Sequence, residues 1–452
     1  MSFTHDLETN DLAFRSQAVT ARVRQLWIPG LSRSLARSLV LKRLSHLELG
    51  QLQLRIAGDD RLRSDARESQ VFGSLTDDGL TAGIEILDPR FWTALLTRGA
   101  LGAAESYAEG WWTSSDLTRV VQLFVRNRHV LTRMDGGWAR LARPFTHLYH
   151  AVRRNSLTGS RKNIEAHYDL SNEFFERFLD PTMTYSCALF GPGSESEDVS
   201  LEQAQLAKID RLCERLGLGP EHHLLEIGTG WGAFAIRAAR KYGCRVTTTT
   251  ISNQQHAYVA KRLREEGLED RVTLLLRDYR ELEGQFDRIV SVEMIEAVGA
   301  EYLETYFASI GRLLVPQGLA ALQAITIQDQ EYERARRHVD FIKRYIFPGS
   351  CIPSVTAITR AMTASSDLTL RQLEDHTPDY ARTLALWRER LMQQDKAGSP
   401  GALDSRFLRT WEYYFSYCEG GFRERHIGLA HLLLAKPGAD QPRPAEPVAV
   451  SP

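Results

Sequence analysis

Short apolar runs and helix-period runs alternate along the second half of the chain. Residues 222–228 (HHLLEIG) predict a strand, 233–243 (AFAIRAARKYG) a helix, 244–251 (CRVTTTTI) a strand and 253–267 (NQQHAYVAKRLREEG) a helix. Residues 271–278 (RVTLLLRD) and 286–294 (FDRIVSVEM) predict two further strands, Glu301 to Leu314 a helix, and Leu319 to Ile327 the strand after it. Strands separated by helices in this way predict a doubly wound α/β unit, a parallel sheet covered on both faces, with its ligand at the carboxyl ends of the strands. The first half reads as α+β. Gln51 to Ala57 alternates polar and apolar residues as a half-buried strand does, Gly83 to Leu87 is a second strand-like run, and helical patterns extend from Asp88 towards His129. Between residues 328 and 380 the segment RYIFPGSCIPS breaks the periodicity, and a long irregular insertion of this kind predicts a cover over the site.

Composition narrows the class. With 452 residues there is chain enough for two or three domains. The expected division is an N-terminal α+β domain over 1–150, the α/β domain over 151–434, and a disordered tail over 435–452, whose five prolines fit no packed element. A formal charge of -1 argues against a globally basic nucleic-acid binder, so no nucleic-acid partner is expected. Two local stretches are nonetheless basic. Residues 22–47 hold six Lys/Arg and no acid among Leu, Trp27, Ile28 and Val, and residues 126–162 hold nine Lys/Arg against Asp135 alone. Each reads either as a solvated helix face or as a surface that meets an anionic membrane. Five cysteines without CxxC spacing argue against a structural zinc or redox pair, and histidines apart from Cys, Asp or Glu at ligand spacing imply no metal. No apolar run reaches the roughly 20 residues that span a bilayer. Met1 to Asn10 lacks the apolar core of a secretory signal, so a cytoplasmic address is expected.

The sharpest local signal is LLEIGTGWGAF, a strand running into Gly228-Thr229-Gly230-Trp231-Gly232 and then a helix. Glycines there let the backbone turn tightly and approach a ligand closely. A dinucleotide loop wants GxGxxG with pyrophosphate on the helix N-terminus, whereas this loop is GxGxG with Glu226 two residues before it. That acid would repel a pyrophosphate and suits the cationic end of S-adenosylmethionine; a plain tight turn is the remaining reading. About 20 residues on, where an acid commonly holds the ribose, stand Thr249, Thr250, Ser252, Gln254 and Gln255, whose hydroxyls and amides hydrogen-bond a ribose as well. Asp278 ends the third strand, as an acceptor for an adenine amino group or as a turn residue.

The blocks HYDLSNEFFERFLDPTMTYSCALF (167–190), LLEIGTGWGAFAI, VEMIEAVG (292–299), RYIFPGSCIPS (344–354) and YYFSYCEGGFRERHIG (413–428), in this order, resemble the cyclopropane fatty acid synthase family over most of residues 80–434. The resemblance implies a class I methyltransferase domain, Rossmann-like and doubly wound, behind an N-terminal lipid-associated α+β domain. It also implies methyl transfer from S-adenosylmethionine to a cis double bond in a phospholipid acyl chain. An alkene is a feeble nucleophile, so attack requires positioning in a water-excluded pocket. Aromatic faces stabilise the resulting cation, and a base removes a proton from the new methyl to close the ring. Tyr168, Phe174, Phe175, Tyr185, Phe190, Trp231, Tyr345, Phe347, Tyr413 and Tyr414 supply aromatic density in these blocks.

Family members use a bound bicarbonate as the base, and position by position the resemblance gives Cys187, Glu296 and Tyr414 to that site. It gives Tyr168, Ser186, Gly228, Gly230, Gly232, Thr250, Gln255 and Asp278 to the cofactor; Glu293 lies near the loop after the fourth strand. Two departures touch the base. Ala297 follows Glu296 where many members have His, and Gln323 and Ala324 stand in LQAITIQ where they have an HTIG block. Gln323 could donate to the anion by its amide, or a protein carboxylate could replace the ion, with Glu165 as a candidate. If the base sits elsewhere, a hydride shift before proton loss gives a methylene-branched chain. Three readings follow: a cyclopropane-forming acyl methyltransferase at a membrane surface, for which a homodimer would double the basic grip; the same scaffold making a methylene- or methyl-branched product; and an RNA methyltransferase or binding module, against which stands the absence of an RNA-binding motif.

Overall fold

The computed structural model describes residues 32–57, 68–128, 170–191, 199–395 and 402–439, which form two compact units. The first contains the described residues before 129 together with 339–346 and those of 388–426; the second contains the described residues of 170–338 with 347–387 and 427–439. Residues 339–346 and 388–426, which the sequence reading puts in the methyltransferase domain, thus group with the N-terminal part. The expected tail beyond 439, most of the second basic stretch and the N-terminal part of the first lie outside the described residues.

In the first unit, β1 (Gly50–Ile56), β2 (Glu68–Ser74), β3 (Thr81–Ile86) and β4 (Trp112–Thr113) form a sheet in the order β2-β1-β3-β4, with β1 parallel to β3 and the other pairs antiparallel. Strands β1 and β3 fall where alternation predicts them. Strand β2 (ESQVFGS) escapes the reading because it is an edge strand with every residue exposed or half-buried, so no apolar face marks it. Among the described residues, helices α1 (Arg33–Leu44), α2 (Arg90–Ala108) and α3 (Leu117–Arg126) accompany this sheet. Helix α13 (Ser405–Arg423), far along the chain, packs on α2 and α3. Its Glu419, 2% exposed, accepts from Thr118 Oγ1 at 2.9 Å, from Arg388 at 3.0 Å and from Arg423 Nε at 2.9 Å. A buried carboxylate is tolerated because these three donors replace its water. Arg126, from the second basic stretch, is paired with Asp78 at 2.6 Å and Glu424 at 2.7 Å.

The second unit is built on a seven-stranded sheet in the order β10-β11-β9-β8-β5-β6-β7, made of β5 (His223–Ile227), β6 (Arg245–Thr250), β7 (Val272–Leu276), β8 (Phe286–Val292), β9 (Leu314–Ile327), β10 (Thr369–Asp375) and β11 (Ile427–Ala435). Neighbours from β7 to β9 run parallel, and β11 is antiparallel to both β9 and β10. Alternate residues go to opposite cores. Leu225, Ile289, Ala320 and Leu322 join Tyr306, Ile310 and Ile358 on one face, while Leu224, Val290, Leu319 and Ala321 join Leu212, Phe234, Val259 and Leu263 on the other. The helices of the first face are α8 (Ile295–Val298), α9 (Leu303–Leu313) and α11 (Val355–Ser365); those of the second are α5 (Leu201–Arg215), α6 (Ala233–Arg237) and α7 (Asn253–Glu265). This is the doubly wound α/β arrangement of the class I, Rossmann-like methyltransferases that the sequence predicts.

The sequence reading is corrected at three places in this unit. Strand β9 begins at Leu314, ahead of the predicted Leu319, because Pro316 and Gly318 interrupt the apolar pattern without ending the strand; the register with β8 shifts instead. The predicted helix 233–243 passes into a π-helical turn over Ala238–Tyr242. The supposedly irregular stretch 328–380 contains α10 (Asp329–Arg337), α11 and β10, since α11 buries Ile358, Ala361 and Met362 and β10 extends the sheet. No helix among the described residues is long and apolar enough to cross a membrane.

The Glu419 cluster generates a stability test. Arg388→Met removes one of the two cations from a buried carboxylate and should lower the unfolding free energy of the first unit by about 3 kcal/mol, read from urea denaturation. An unchanged midpoint would mean that Arg423 alone compensates Glu419.

Candidate active site

Strand order reverses between β5 and its two neighbours β6 and β8, and of the predicted cofactor residues Gly228, Gly230, Gly232, Thr250 and Gln255 lie at or just after the carboxyl ends of β5 and β6. In the loop after β5, Gly228 (φ 100°) and Gly230 (φ 50°) take the left-handed region that disfavours side chains, and a Cβ on Gly230 would meet no atom within 4 Å. The loop therefore offers bare backbone to an open space. Trp231 anchors it, donating from Nε1 to Asn172 Oδ1 at 2.9 Å while Arg262 donates to its carbonyl at 3.1 Å. At the end of β6, Thr250 Oγ1 donates to Gln255 Oε1 at 2.9 Å, and the Ser252 side chain caps α7. Both oxygens of Asp278, after β7, accept from Arg280, at 2.8 and 2.7 Å. Glu226, 3% exposed, accepts from Thr248 Oγ1 at 2.6 Å, and burial pushes its carboxyl up to about 8. A bare glycine loop, hydroxyls and amides at the end of β6, and a buried acid awaiting a cation fit S-adenosylmethionine.

Tyr168 and Glu165 lie outside the described residues. Ser186 and Cys187 sit in the irregular segment after α4 (Asn172–Glu176), held mainly by helix α12 (Thr377–Gln394). Thr383 Oγ1 of α12 accepts from the Ala188 amide at 3.1 Å, and Asp379 accepts from the Phe190 amide at 3.0 Å. Ser186 Oγ accepts from Lys208 Nζ at 2.6 Å. Lys208 is 1% exposed, and burial lowers its ammonium to about 8. Burial pushes the Cys187 thiol well above its ordinary value, so the thiol stays protonated; its backbone amide is the active polar group.

After β8 stand two carboxyls three residues apart. Glu296 accepts from the Ile325 amide with one oxygen, while its other oxygen is buried without a hydrogen bond. Burial first, and the neighbouring Glu293 second, push Glu296 up to about 8. Glu293 has φ 48°, a left-handed backbone that a non-glycine residue rarely adopts. Its Oε1 accepts from the Cys187 amide at 2.8 Å and from Gln323 Nε2 at 2.7 Å, and its Oε2 accepts from Tyr380 OH. Gln323 also donates to the Cys187 carbonyl at 3.2 Å, which turns its oxygen towards His431 Nε2, 2.8 Å away. The sequence reading undervalued Glu293 and missed Tyr380, Lys208 and His431 altogether. The resemblance assigns the Cys187 region to a bicarbonate, yet here the Cys187 amide and the Gln323 amide are spent on a protein carboxylate, so the residues present do not fit that ion.

A chain of aromatic rings leads away from Trp231 of the glycine loop. Phe175 lies 4.7 Å from Trp231 and 5.4 Å from Tyr185, centroid to centroid; Tyr185 lies 6.4 Å from Phe347 and 5.2 Å from Trp387. Phe178 and Trp387, both fully buried, were not among the predicted rings. The other predicted rings divide. Tyr345, Tyr413 and Tyr414 belong to the first unit, where Tyr414 on α13 packs against Trp411 and Phe415 at 5.4 and 5.0 Å. Contrary to the expected separation of histidines from carboxylates, Glu374, His376 and His431 bring ligand-type atoms within 4.8 Å of one another. Arg211 at 2.8 Å and Arg215 already neutralise Glu374 there.

The two acids raised to about 8 set a pH dependence. The unfolded chain releases their protons near the ordinary carboxylate value of 4.5, so between about pH 5 and 8 the folded state holds more protons and stability falls as pH rises, by up to about 1.4 kcal/mol per pH unit for each group. Glu226→Gln should remove its share of that slope, measured as unfolding free energy at several pH values. A slope identical to the parent's would show that Glu226 ionises normally.

Comparison with known proteins gives a consistent picture. A family model described as mycolic acid cyclopropane synthetase matches residues 155–432. The chain is 39% identical over 344 residues to the tuberculostearic acid methyltransferase UfaA1 of Mycobacterium tuberculosis, covering 75% of this chain and 80% of that one. It is 36% identical over 366 residues to the cyclopropane-fatty-acyl-phospholipid synthase of Escherichia coli, covering 78% and 88%. Among solved structures, the cyclopropane synthase MmaA2 from Mycobacterium tuberculosis superposes with a TM-score of 0.56 at 35% identity, covering 61% of this chain and 98% of that one. The mycolic acid cyclopropane synthase CmaA1, complexed with SAH and CTAB, superposes with 0.56 at 33%, covering 61% and 98%. On the family match and on the sheet order with its glycine loop, the chain belongs to the mycolic acid cyclopropane synthetase family of S-adenosylmethionine-dependent methyltransferases.

Proposed function

We propose that this protein transfers a one-carbon unit from S-adenosylmethionine to the cis double bond of an unsaturated phospholipid acyl chain and closes a cyclopropane ring. The observation that carries the reading is the contiguous set of rings that starts at the glycine loop, Trp231, Phe175, Tyr185, Phe347 and Trp387, with neighbouring centroids 4.7 to 6.4 Å apart. When bound, the donor supplies an electrophilic sulfonium methyl. The chain's own part is to exclude water, align the alkene, and offer π faces to the cationic carbon, worth about 2 kcal/mol each where desolvated. On this reading Tyr168, Ser186, the three loop glycines, Thr250, Gln255 and Asp278 serve the donor, and Cys187, Glu296, Tyr414 and Glu165 serve the reacting end.

A methylene- or methyl-branched product is the second reading. It is favoured by Gln323, which stands in place of the family's histidine, and by the 39% identity to a relative named for tuberculostearic acid. Incubation of purified protein with labelled S-adenosylmethionine and unsaturated phospholipid vesicles should give upfield cyclopropyl signals in the proton NMR spectrum of the extracted lipid. Vinylidene signals would replace the ring by the branch, and absence of label in lipid would refute both.

The reading includes a peripheral address at the inner face of the cytoplasmic membrane, with a homodimer presenting two basic surfaces. Helix α1 supports it. Ala36, Val40 and Leu44 turn inward, while Leu35 and Leu39, 48% and 39% exposed, share the outer surface with Arg33 and Lys42. Exposed leucines among cations suit an anionic lipid interface, where each Lys or Arg contributes about 1 kcal/mol. The protein should float with phosphatidylglycerol-containing vesicles at low salt, and Leu35→Ser with Leu39→Ser should weaken the binding. Equal flotation with neutral vesicles would exclude the electrostatic part.

A further inference from the structure

We infer that the Glu293 carboxylate is a proton acceptor built into the chain, occupying the place that the resemblance gives to a bound bicarbonate; the inference rests on the acyl-methylation reading above. Three features of the structure converge on it. The first is the donor set. A carboxylate accepting from the Cys187 amide, the Gln323 amide and the Tyr380 hydroxyl is surrounded as a small anion would be; burial raises this carboxyl above its ordinary value, as suits a group that takes up a proton, and the donors on both oxygens oppose that rise.

The second is orientation. Gln323 can face Glu293 with its amide nitrogen because His431 Nε2–H satisfies its oxygen, and burial, with His376 and several cations nearby, holds His431 well below its ordinary value and therefore neutral. The groups facing Glu293 thus deliver hydrogen-bond donors. Lys208 is the cation that acts on it, and Glu296 the neighbouring acid. The third is backbone conformation. The left-handed φ of 48° is strained in a non-glycine residue, and such strain persists where surrounding contacts enforce it. Glu293 as a whole residue is half-buried although its carboxyl is enclosed, and its neighbour Met294 lies against Gly228 of the cofactor loop.

The step balances without an added ion. A C–H bond of the new methyl breaks, its electron pair forms the C–C bond that closes the ring and cancels the positive charge, and the proton passes to Glu293. A 1,2-hydride shift that moves the charge to the methyl-bearing carbon, followed by loss of a methyl proton to the same group, gives the methylene-branched product, the C–H electron pair becoming the new π bond. Tyr380, Gln323 and the Cys187 amide are then positioning groups for that carboxylate.

The test compares the parent protein with Glu293→Gly and Glu293→Gln in buffer stripped of carbon dioxide and in millimolar bicarbonate. Glycine suits the left-handed backbone, so Glu293→Gly should fold, and it leaves an anion-sized gap beside unused donors. The parent should methylate lipid at one rate in both buffers. Glu293→Gly should lose about 100-fold and regain activity with bicarbonate, while Glu293→Gln, which fills the gap but takes no proton, should lose as much and stay inactive. A parent rate that follows bicarbonate, or a Glu293→Gly variant fully active without it, overturns the inference. Carbon-13 NMR of labelled bicarbonate supplies a readout independent of turnover: binding by Glu293→Gly alone supports the occupied pocket, and binding by the parent overturns it. Absence of lipid methylation by the parent in either buffer would refute the acyl-methylation reading, whatever the binding result.

Discussion

Burying polar groups where parallel strands end is the constraint from which the site follows. Each strand of a doubly wound sheet delivers its last residues into one crevice, and those residues must satisfy one another or hold a ligand. In this chain the ends of β5 and β8 and the adjoining stretch of strand β9 bring Glu226, Glu293, Glu296 and Gln323 into that crevice, with Lys208 reaching in from α5. Every carboxyl there responds to dryness first and to its neighbours second. The chemistry is divided accordingly. Glu293 is supplied with donors that oppose the rise burial imposes on its carboxyl, while Glu296 has one orphaned oxygen and a neighbouring acid that adds to the rise.

Much of the scaffold was legible because its signal is local. The threonine run of β6 reads as a strand through β-branching, and its hydroxyls find partners once buried: Thr247 with His223, Thr248 with Glu226, Thr249 with the Arg277 carbonyl and Thr250 with Gln255. The glycine loop was legible because its conformation demands particular residues. Edge strand β2 was not, since a strand without a buried face leaves no alternation to read. The early start of β9 was missed for a related reason: a proline and a glycine look like an ending unless the neighbouring strand is seen to accommodate them.

The heart of the site was the least readable part. Glu293 and Gln323 are 30 residues apart, and only the pairing of β8 with β9, sealed by the Glu293 amide donating to the Gln323 carbonyl at 2.8 Å, makes them neighbours. Tyr380 and His431 arrive from α12 and β11, later still. Each looks ordinary by itself, and the departure from the family's pattern at Gln323 acquires meaning only beside the carboxylate it faces. The resemblance located the crevice; the hydrogen bonds determine which group in it is free to accept a proton.

Helix α13 has a further consequence. Because the first unit takes its closing helix from residues 405–423, after the chain has passed through most of the methyltransferase sheet, that unit lacks this packing surface until residue 423 has been made. During synthesis the apolar faces of α2 and α3 wait for a partner made about 300 residues later, tens of seconds at about 5–20 residues per second, and stay uncovered by it in the interval.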